Sequence, residues 1–294
     1  MTSAGIAAGD RVLVTGAAGG FGAPTMTRLR EQGVQVIGLD RVSGDRILPC
    51  DITDDAAVEA AVADAVETLG GLDAVVHYAG IGTPNDAGGP LRPDAIRVID
   101  VNLFGAWRVT AAALPALLEG RARRGDKGRV VFVSSELAYL TLPFVSAYSV
   151  AKRGMSAYAD ALRVEYGTEL HVSTVYPGYV RTPIHNEGRE VGLALEGQVR
   201  REEVEDIVGT VLRTLTATRP ARNTAGSRGG AVELWLGRHL PGVVGSAVAS
   251  RLRKRAAAGH FDSAPLAAGL VRRLTGRDVT APVPRTAPTT ERSS

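Results

Sequence analysis

Arg11-Val12-Leu13-Val14-Thr15-Gly16-Ala17-Ala18-Gly19-Gly20-Phe21-Gly22 is an apolar, β-branched run that breaks into glycines. Beyond it, Met26 and Leu29 alternate with Arg28, Arg30 and Glu31, and Gly33 closes the stretch, which is the pattern of a short amphipathic helix. A strand that feeds a glycine-rich turn and then opens a helix is suited to hold phosphate. N–H groups at the helix start face the anion, and the missing side chains let the backbone come close. Gly16, Gly20 and Gly22 give the spacing G-x-x-x-G-x-G.

The same alternation continues outward. Val34–Leu39 reads as a second strand closed by Asp40, and Arg46–Cys50 as a third running into Asp51-Ile52-Thr53. Asp54–Leu69 is an alanine-rich helix with Asp51 or Thr53 available as its cap. Asp73–His77 is a fourth strand that leads into Tyr78-Ala79-Gly80, and residues 81–93 form a loop. Residues 94–118 are helical, with Pro115 near a kink or boundary. Arg129–Ser134, Leu170–Tyr176 and Ala231–Leu236 supply strands five to seven, with helices over 147–167 and 203–218. Residues 183–201 carry no clean period and read as a flexible loop over the site. Near-continuous apolar strands separated by helices imply a parallel sheet buried on both faces. Val244, Val248 and Leu252, then Leu266, Leu270 and Leu274, mark two amphipathic C-terminal helices, and residues 276–294 have the composition of a disordered tail.

Tyr148 and Lys152 stand four apart on the 147–167 helix, so they share a face. A phenol near pKa 10 is a poor base at neutral pH. A cation at about 4 Å and an effective dielectric of about 20 is worth about 4 kcal/mol, or roughly three pKa units. The pairing can therefore bring the tyrosine towards the range where general acid–base work is efficient.

Asp40 ends the second strand, eighteen residues after Gly22. A carboxylate there accepts from the ribose hydroxyls of an adenine dinucleotide and repels a 2′-phosphate, which favours NAD over NADP. Position alone leaves a turn cap as an equal reading of Asp40, and the adjacent Arg41 has the charge to hold a 2′-phosphate.

Bulk composition sets limits. The 294 residues are 45% hydrophobic and 22% charged, with a formal charge of +3, enough for one large domain and a sizeable core. Arg251, Arg253, Lys254, Arg255, Arg272 and Arg273 cluster late without an aromatic-rich basic stretch, so no nucleic-acid groove is expected. Cys50 is the sole cysteine, which excludes an intrachain disulfide and a cysteine-rich metal site. No histidine has a ligand partner at metal spacing, so no metal is expected. Met1–Asp10 lacks a signal-peptide pattern, and no apolar run reaches about 18 residues. A cytoplasmic protein without membrane association is the expectation.

Gly16/Gly20/Gly22, Asp51, Ala79-Gly80, Asn102, Ser135, Tyr148-x-x-x-Lys152 and Pro177-Gly178, in this order, resemble the short-chain dehydrogenases/reductases, in their single-domain branch of about 250 residues. The resemblance covers roughly residues 9–237. It implies a doubly wound α/β Rossmann fold with a seven-stranded parallel sheet. Residues 9–256 would form the NAD(P)-binding catalytic domain and 257–294 a C-terminal extension. Tyr148 would be the acid/base, and Lys152 would tune it and bind the nicotinamide ribose. Ser135, rather than Ser134, would bond the substrate oxygen, and Asn102 would anchor a water joining Lys152 to solvent. Gly16, Gly20, Phe21, Gly22, Asp40, Asp51, Ile52, Ala79, Gly80, Pro177, Gly178, Val180 and Thr182 would complete the cofactor site, with Asp51 and Ile52 at the adenine and Thr182 at the carboxamide. One departure stands out. The family's Asn-Asn-Ala-Gly is His77-Tyr78-Ala79-Gly80 here, which puts the usual bracing hydrogen bonds in doubt and makes His77 a structural residue.

The resemblance implies an NAD-dependent oxidoreductase that interconverts a secondary alcohol and a ketone, working as a homo-oligomer. Leu137, Leu140, Leu142, Phe144 and Val145, between Ser135 and Tyr148, point to an apolar substrate. A dehydratase or epimerase, and a nicotinamide-binding sensor without turnover, are the alternatives on the same scaffold.

Overall fold

The run Arg11–Thr15 (β1) lies in the middle of a sheet. It pairs parallel with Gln35–Asp40 (β2) on one side and Ala74–His77 (β4) on the other. Ile47–Pro49 (β3) lies outside β2. Gly128–Val133 (β5), Leu170–Tyr176 (β6) and Asn223–Ala225 (β9) follow beyond β4, giving the parallel order β3-β2-β1-β4-β5-β6-β9. This computed structural model describes residues 5–122, 126–182, 184, 186–193 and 200–278, so the expected tail over 276–294 lies almost wholly outside the described residues.

Helices cover both faces, which is why the strands are apolar on both sides. Gly22–Glu31 (α1) and Val204–Thr216 (α7) bury Met26, Leu29, Val208, Val211 and Leu215 against Val12, Val14, Val76 and Val131. Asp55–Leu69 (α2), the helical run through Pro93–Ile99 (α3) and Ala106–Ala122 (α4), and Ser146–Glu165 (α5) cover Leu13, Val75, Val130 and Phe132. The chain winds one way from β1 to β3 and the other from β4 to β9. Its turnover point therefore lies between the C-terminal ends of β1 and β4, where a crevice opens.

Several expectations change. The seventh strand is Asn223–Ala225, not Ala231–Leu236, which lies in the helix Arg228–His239 (α8). Ser227 starts that helix by accepting from the Gly230 N–H at 3.1 Å, and this cap decides a stretch whose β-branched and aromatic composition is ambiguous. The cap of α2 is Asp54, which accepts from the Ala57 N–H at 3.0 Å, rather than Asp51 or Thr53. Pro115 lies inside α4, and the irregularity falls earlier, where Asp100–Gly105 forms a π-helical turn between α3 and α4. The continuous helix Pro93–Gly120, at 28 residues, is long and apolar enough to cross a membrane by length and composition. Asn102, Arg108 and Thr110 interrupt it in sequence, so no single apolar run announces it; here it packs on α2, β4 and β5.

Tyr179–Val180 (β7) pairs with Arg201–Glu202 (β8) beside the sheet, and Asn186–Glu190 (α6) is a short helix within the expected loop. Pro241–Ala257 (α9) and Ala268–Thr275 (α10) pack together, with Leu252, Phe261, Leu266, Leu270, Val271 and Leu274 gathered on Phe144 and Leu193.

Candidate active site

The crevice at the turnover point has a volume of about 710 Å³. Its floor is the glycine turn. Gly16 adopts φ +66°, and a Cβ there would stand 2.6 Å from the Ala79 nitrogen. A Cβ on Gly22 would stand 2.1 Å from the Gly16 carbonyl, so both positions demand glycine. Helix α1 starts here with no capping side chain and no acidic residue in its first turn, which leaves its N-terminal field open to an anion. Asp40 lines the crevice and also braces the turn, its Oδ2 accepting from the Ala18 N–H at 3.0 Å. Arg41 lines the same wall.

Asp51 and Ile52 lie at the far end. Asp51 accepts from the Thr53 N–H at 3.0 Å and hydroxyl at 2.7 Å, and these bonds, with Arg97 further off, hold its carboxyl below the usual range. Phe21, Gly20, Ala79, Gly80, Pro177, Gly178, Val180 and Thr182 complete the lining, with a Thr182 methyl 3.2 Å from where a Gly20 Cβ would sit. Gly22 and Asn102 do not line the crevice; they lie beside the lining residues Gly16 and Gly80 respectively.

At the inner end, α5 presents Tyr148 and Lys152 to the crevice and the end of β5 delivers Ser135. Ser135 lies beside Tyr148 on the crevice wall and draws its phenol pKa down, while its Oγ accepts from the Leu137 N–H at 3.1 Å. Ser134 turns away and donates to the Lys152 carbonyl, a structural bond. Asn102, on the π turn, donates to the carbonyls of Ile81 at 2.8 Å and Val98 at 2.7 Å. Its buried Oδ1 has no partner among the described residues. That oxygen and Lys152 Nζ both face Gly80, where a Cβ would stand 2.5 Å from the first and 3.6 Å from the second. The extra residue of the π turn places Asn102 there, and nothing in the sequence announces it.

Electrostatics depart from the sequence-based expectation. Burial pushes the Tyr148 phenol up to about 12, against the opposing pull of the nearby Ser135 hydroxyl, and brings Lys152 down to about 8. In the ligand-free site Lys152 therefore does not bring the tyrosine towards neutrality. Its Nζ donates to the Val133 carbonyl at 3.0 Å instead.

His77 and Tyr78 replace the missing asparagine braces. The Thr110 hydroxyl donates to the Ala106 carbonyl at 2.7 Å, so the His77 Nε2–H donates to Thr110 at 2.9 Å. The ring stacks on Phe132 at 4.9 Å, and burial, with Lys152 second, lowers its pKa to about 3. It is a neutral structural residue. The Tyr78 hydroxyl meets Thr25 at 2.8 Å and so ties β4 to α1.

A smaller apolar pocket adjoins the crevice. Leu137, Phe144, Val145, Pro143, Ile184 and Phe261 line it, and Tyr148 stands in the wall that the two share. Leu140 and Leu142 do not line it; Leu140 packs towards Gly237 on α8. Phe261 comes from the C-terminal segment and was not singled out by the sequence. Among the described residues no three or more His, Cys, Asp or Glu side chains are placed so that they could hold a metal ion.

Glycine cradle, open helix start, ribose-side carboxylate and orphaned Asn102 oxygen all fit a nicotinamide dinucleotide. Residues 10–191 match the family model described as short chain dehydrogenase. A short-chain type dehydrogenase/reductase of Mycolicibacterium smegmatis is 32% identical over 219 residues, which span 63% of this chain and 76% of that one. A dehydrogenase/reductase SDR family protein 7-like of Anopheles gambiae is 32% identical over 197 residues, 60% of this chain and 61% of that one. Among solved structures, a short chain dehydrogenase from Burkholderia cenocepacia in complex with NADP superposes with TM-score 0.68 at 23% identity, over 82% of this chain and 98% of that one. A 3-ketoacyl-(acyl-carrier-protein) reductase from Brucella melitensis complexed with NADH gives 0.65 at 25% identity, over 75% and 98%.

Proposed function

This chain belongs to the short-chain dehydrogenase/reductase family, and from that premise we propose that it interconverts a secondary alcohol and a ketone with NAD, on an apolar substrate. The observation that carries the reading is the position of Tyr148. It stands where the polar dinucleotide crevice meets the apolar pocket, so a carbinol held in the pocket has its oxygen at the phenol and its carbon towards the crevice. The bound nicotinamide supplies the hydride acceptor or donor. Ser135 Oγ holds the substrate oxygen, and the Tyr148 hydroxyl gives or takes the proton at that oxygen. Lys152 lies at the inner end of the crevice, where the nicotinamide ribose would rest, and its charge there favours the phenolate as the proton leaves. Asp40 accepts from the adenosine ribose, which favours NAD, while Arg41 on the same wall is the feature that speaks for NADP.

Self-association is part of the reading. Phe104 in the π turn and Trp107 at the start of α4 are 46% and 50% exposed, and Trp107 stacks on Tyr158 of α5 at 4.2 Å. Large apolar groups on two adjacent helices suit a second copy of the chain. The test of function is a screen of secondary alcohols and ketones read by NADH absorbance. Turnover with apolar members supports the reading; tight NAD binding without turnover on any would favour the sensor alternative.

A further inference from the structure

Three carboxylates converge behind the site. Glu136 follows Ser135 directly and is fully buried, and neither of its carboxyl oxygens has a hydrogen-bond donor among the described residues. What faces it is Glu202 from β8 and Glu233 from α8, with Arg200 the nearby cation. The other local guanidiniums, Arg153 of α5 and Arg238 of α8, lie over the Tyr139 ring, and Lys152 is bonded to Val133. Glycines make room for the cluster. A Cβ on Gly230 would stand 2.2 Å from Glu136 Oε1 and 3.2 Å from Glu202 Oε1, and one on Gly226 2.1 Å from Glu202 Oε2. Glu233 and Gly230 reach this point only because 231–236 is a helix.

The cluster holds the Pro177-Gly178 turn from two sides. The Glu136 N–H donates to the Pro177 carbonyl at 2.9 Å, and the Gly178 N–H donates to Glu202 Oε2 at 2.8 Å. Glu136 and Glu202 are both buried beside the same Gly230, with half-buried Glu233 facing them, and like charges so gathered do not all ionise. A proton on Glu136 makes it the donor that Glu202 Oε1, itself buried and unpartnered, lacks.

We propose that Glu136 and Glu202 share a proton and act as a positioning pair, holding the Pro177-Gly178 wall and Ser135 in register across the site. Neither touches substrate. Loss of the proton turns the donor into a second anion and pushes the two walls apart. Burial, then the charges of Glu233 and Glu202, raise the Glu136 pKa to about 8, which puts that loss just above neutral pH. The pair rests on reading the crevice as a dinucleotide site.

The test is Glu136→Gln, which keeps the shape and a donor but cannot ionise. The sign follows from linkage: an acid whose folded pKa is raised binds protons on folding, so its contribution is full below about pH 4.5 and is lost as pH climbs to about 8. Melting of the ligand-free protein, wild type minus variant, should therefore decline over that interval and level off above it. NADH affinity should match within about twofold at pH 6; by pH 9 the titration of Lys152, common to both, weakens both, and wild type should fall at least fivefold further than the variant. Parallel melting curves overturn the shared proton, as do NADH affinities of wild type and variant that fall by the same factor between pH 6 and pH 9. If Glu136→Gln does not fold, Glu233→Gln carries the test, because removing a neighbouring charge should move the wild-type decline to lower pH; an unmoved decline overturns the proposal. Melting needs no nucleotide, so the expected pH difference without any NADH or NADPH binding would sink the reading of the crevice instead.

Discussion

Lys152 Nζ stands 5.6 Å from the centroid of the Tyr148 ring and donates to the Val133 carbonyl rather than approaching the phenol. The i, i+4 spacing brings the two onto one face, but the ammonium bonds Val133, and desolvation by the surrounding protein dominates both groups. On the proposed reading, activation of Tyr148 would come from charge and hydrogen bonds that the bound ligands supply.

Tyr148→Phe should lower turnover by about two to four orders of magnitude, the usual worth of a positioned acid/base, with NADH affinity little changed. Steady-state absorbance and a binding titration check the two halves. Substantial residual turnover would remove Tyr148 from its role.

A base whose folded pKa lies below its unfolded value gives up protons on folding, so charged Lys152 costs stability. The cost is full below about pH 8 and vanishes as pH passes the unfolded value of 10.5. Lys152→Met should thus raise the melting temperature of the ligand-free protein at pH 7, with the gain shrinking towards pH 10.5, while turnover collapses. A variant less stable than wild type at pH 7 would contradict this account.

Asp40→Ala should narrow the preference for NAD over NADP, since it removes a ribose acceptor and a repulsive charge together. It also frees the Ala18 N–H, so affinity for both dinucleotides should drop. A wild type that prefers NADP would hand the specificity to Arg41.

Phe261→Ala should raise KM for an apolar substrate about tenfold or more, the worth of a buried aromatic, and leave NADH affinity unchanged. Equal KM values would place the substrate elsewhere.

Trp107→Glu, paired with Phe104→Glu, should shift the sedimentation coefficient to that of a monomer if these faces join two copies. An unchanged assembly would move the interface to another surface.

Much of this architecture was legible in one chain. β1, the glycine turn and α1 follow from local composition, because a buried parallel strand needs an unbroken apolar run and a phosphate cradle needs bare backbone. Tyr148-x-x-x-Lys152 was visible because helical periodicity is a local property. The nature of 231–236 was not, since the same six residues suit a strand or a helix until Ser227 caps them and β9 takes the sheet edge. Likewise, the π turn that aims Asn102, the direction of the Tyr148 and Lys152 shifts, and Phe261 in the pocket wall depend on which segments are packed together. The Glu136–Glu202–Glu233 cluster draws on positions up to 97 residues apart in a chain of 294. Side-chain identity and local period belong to the sequence; burial and long-range proximity, which set protonation and partnership, arise only when the fold brings the ends of β5 and β6, the β7–β8 pair and α8 to one place.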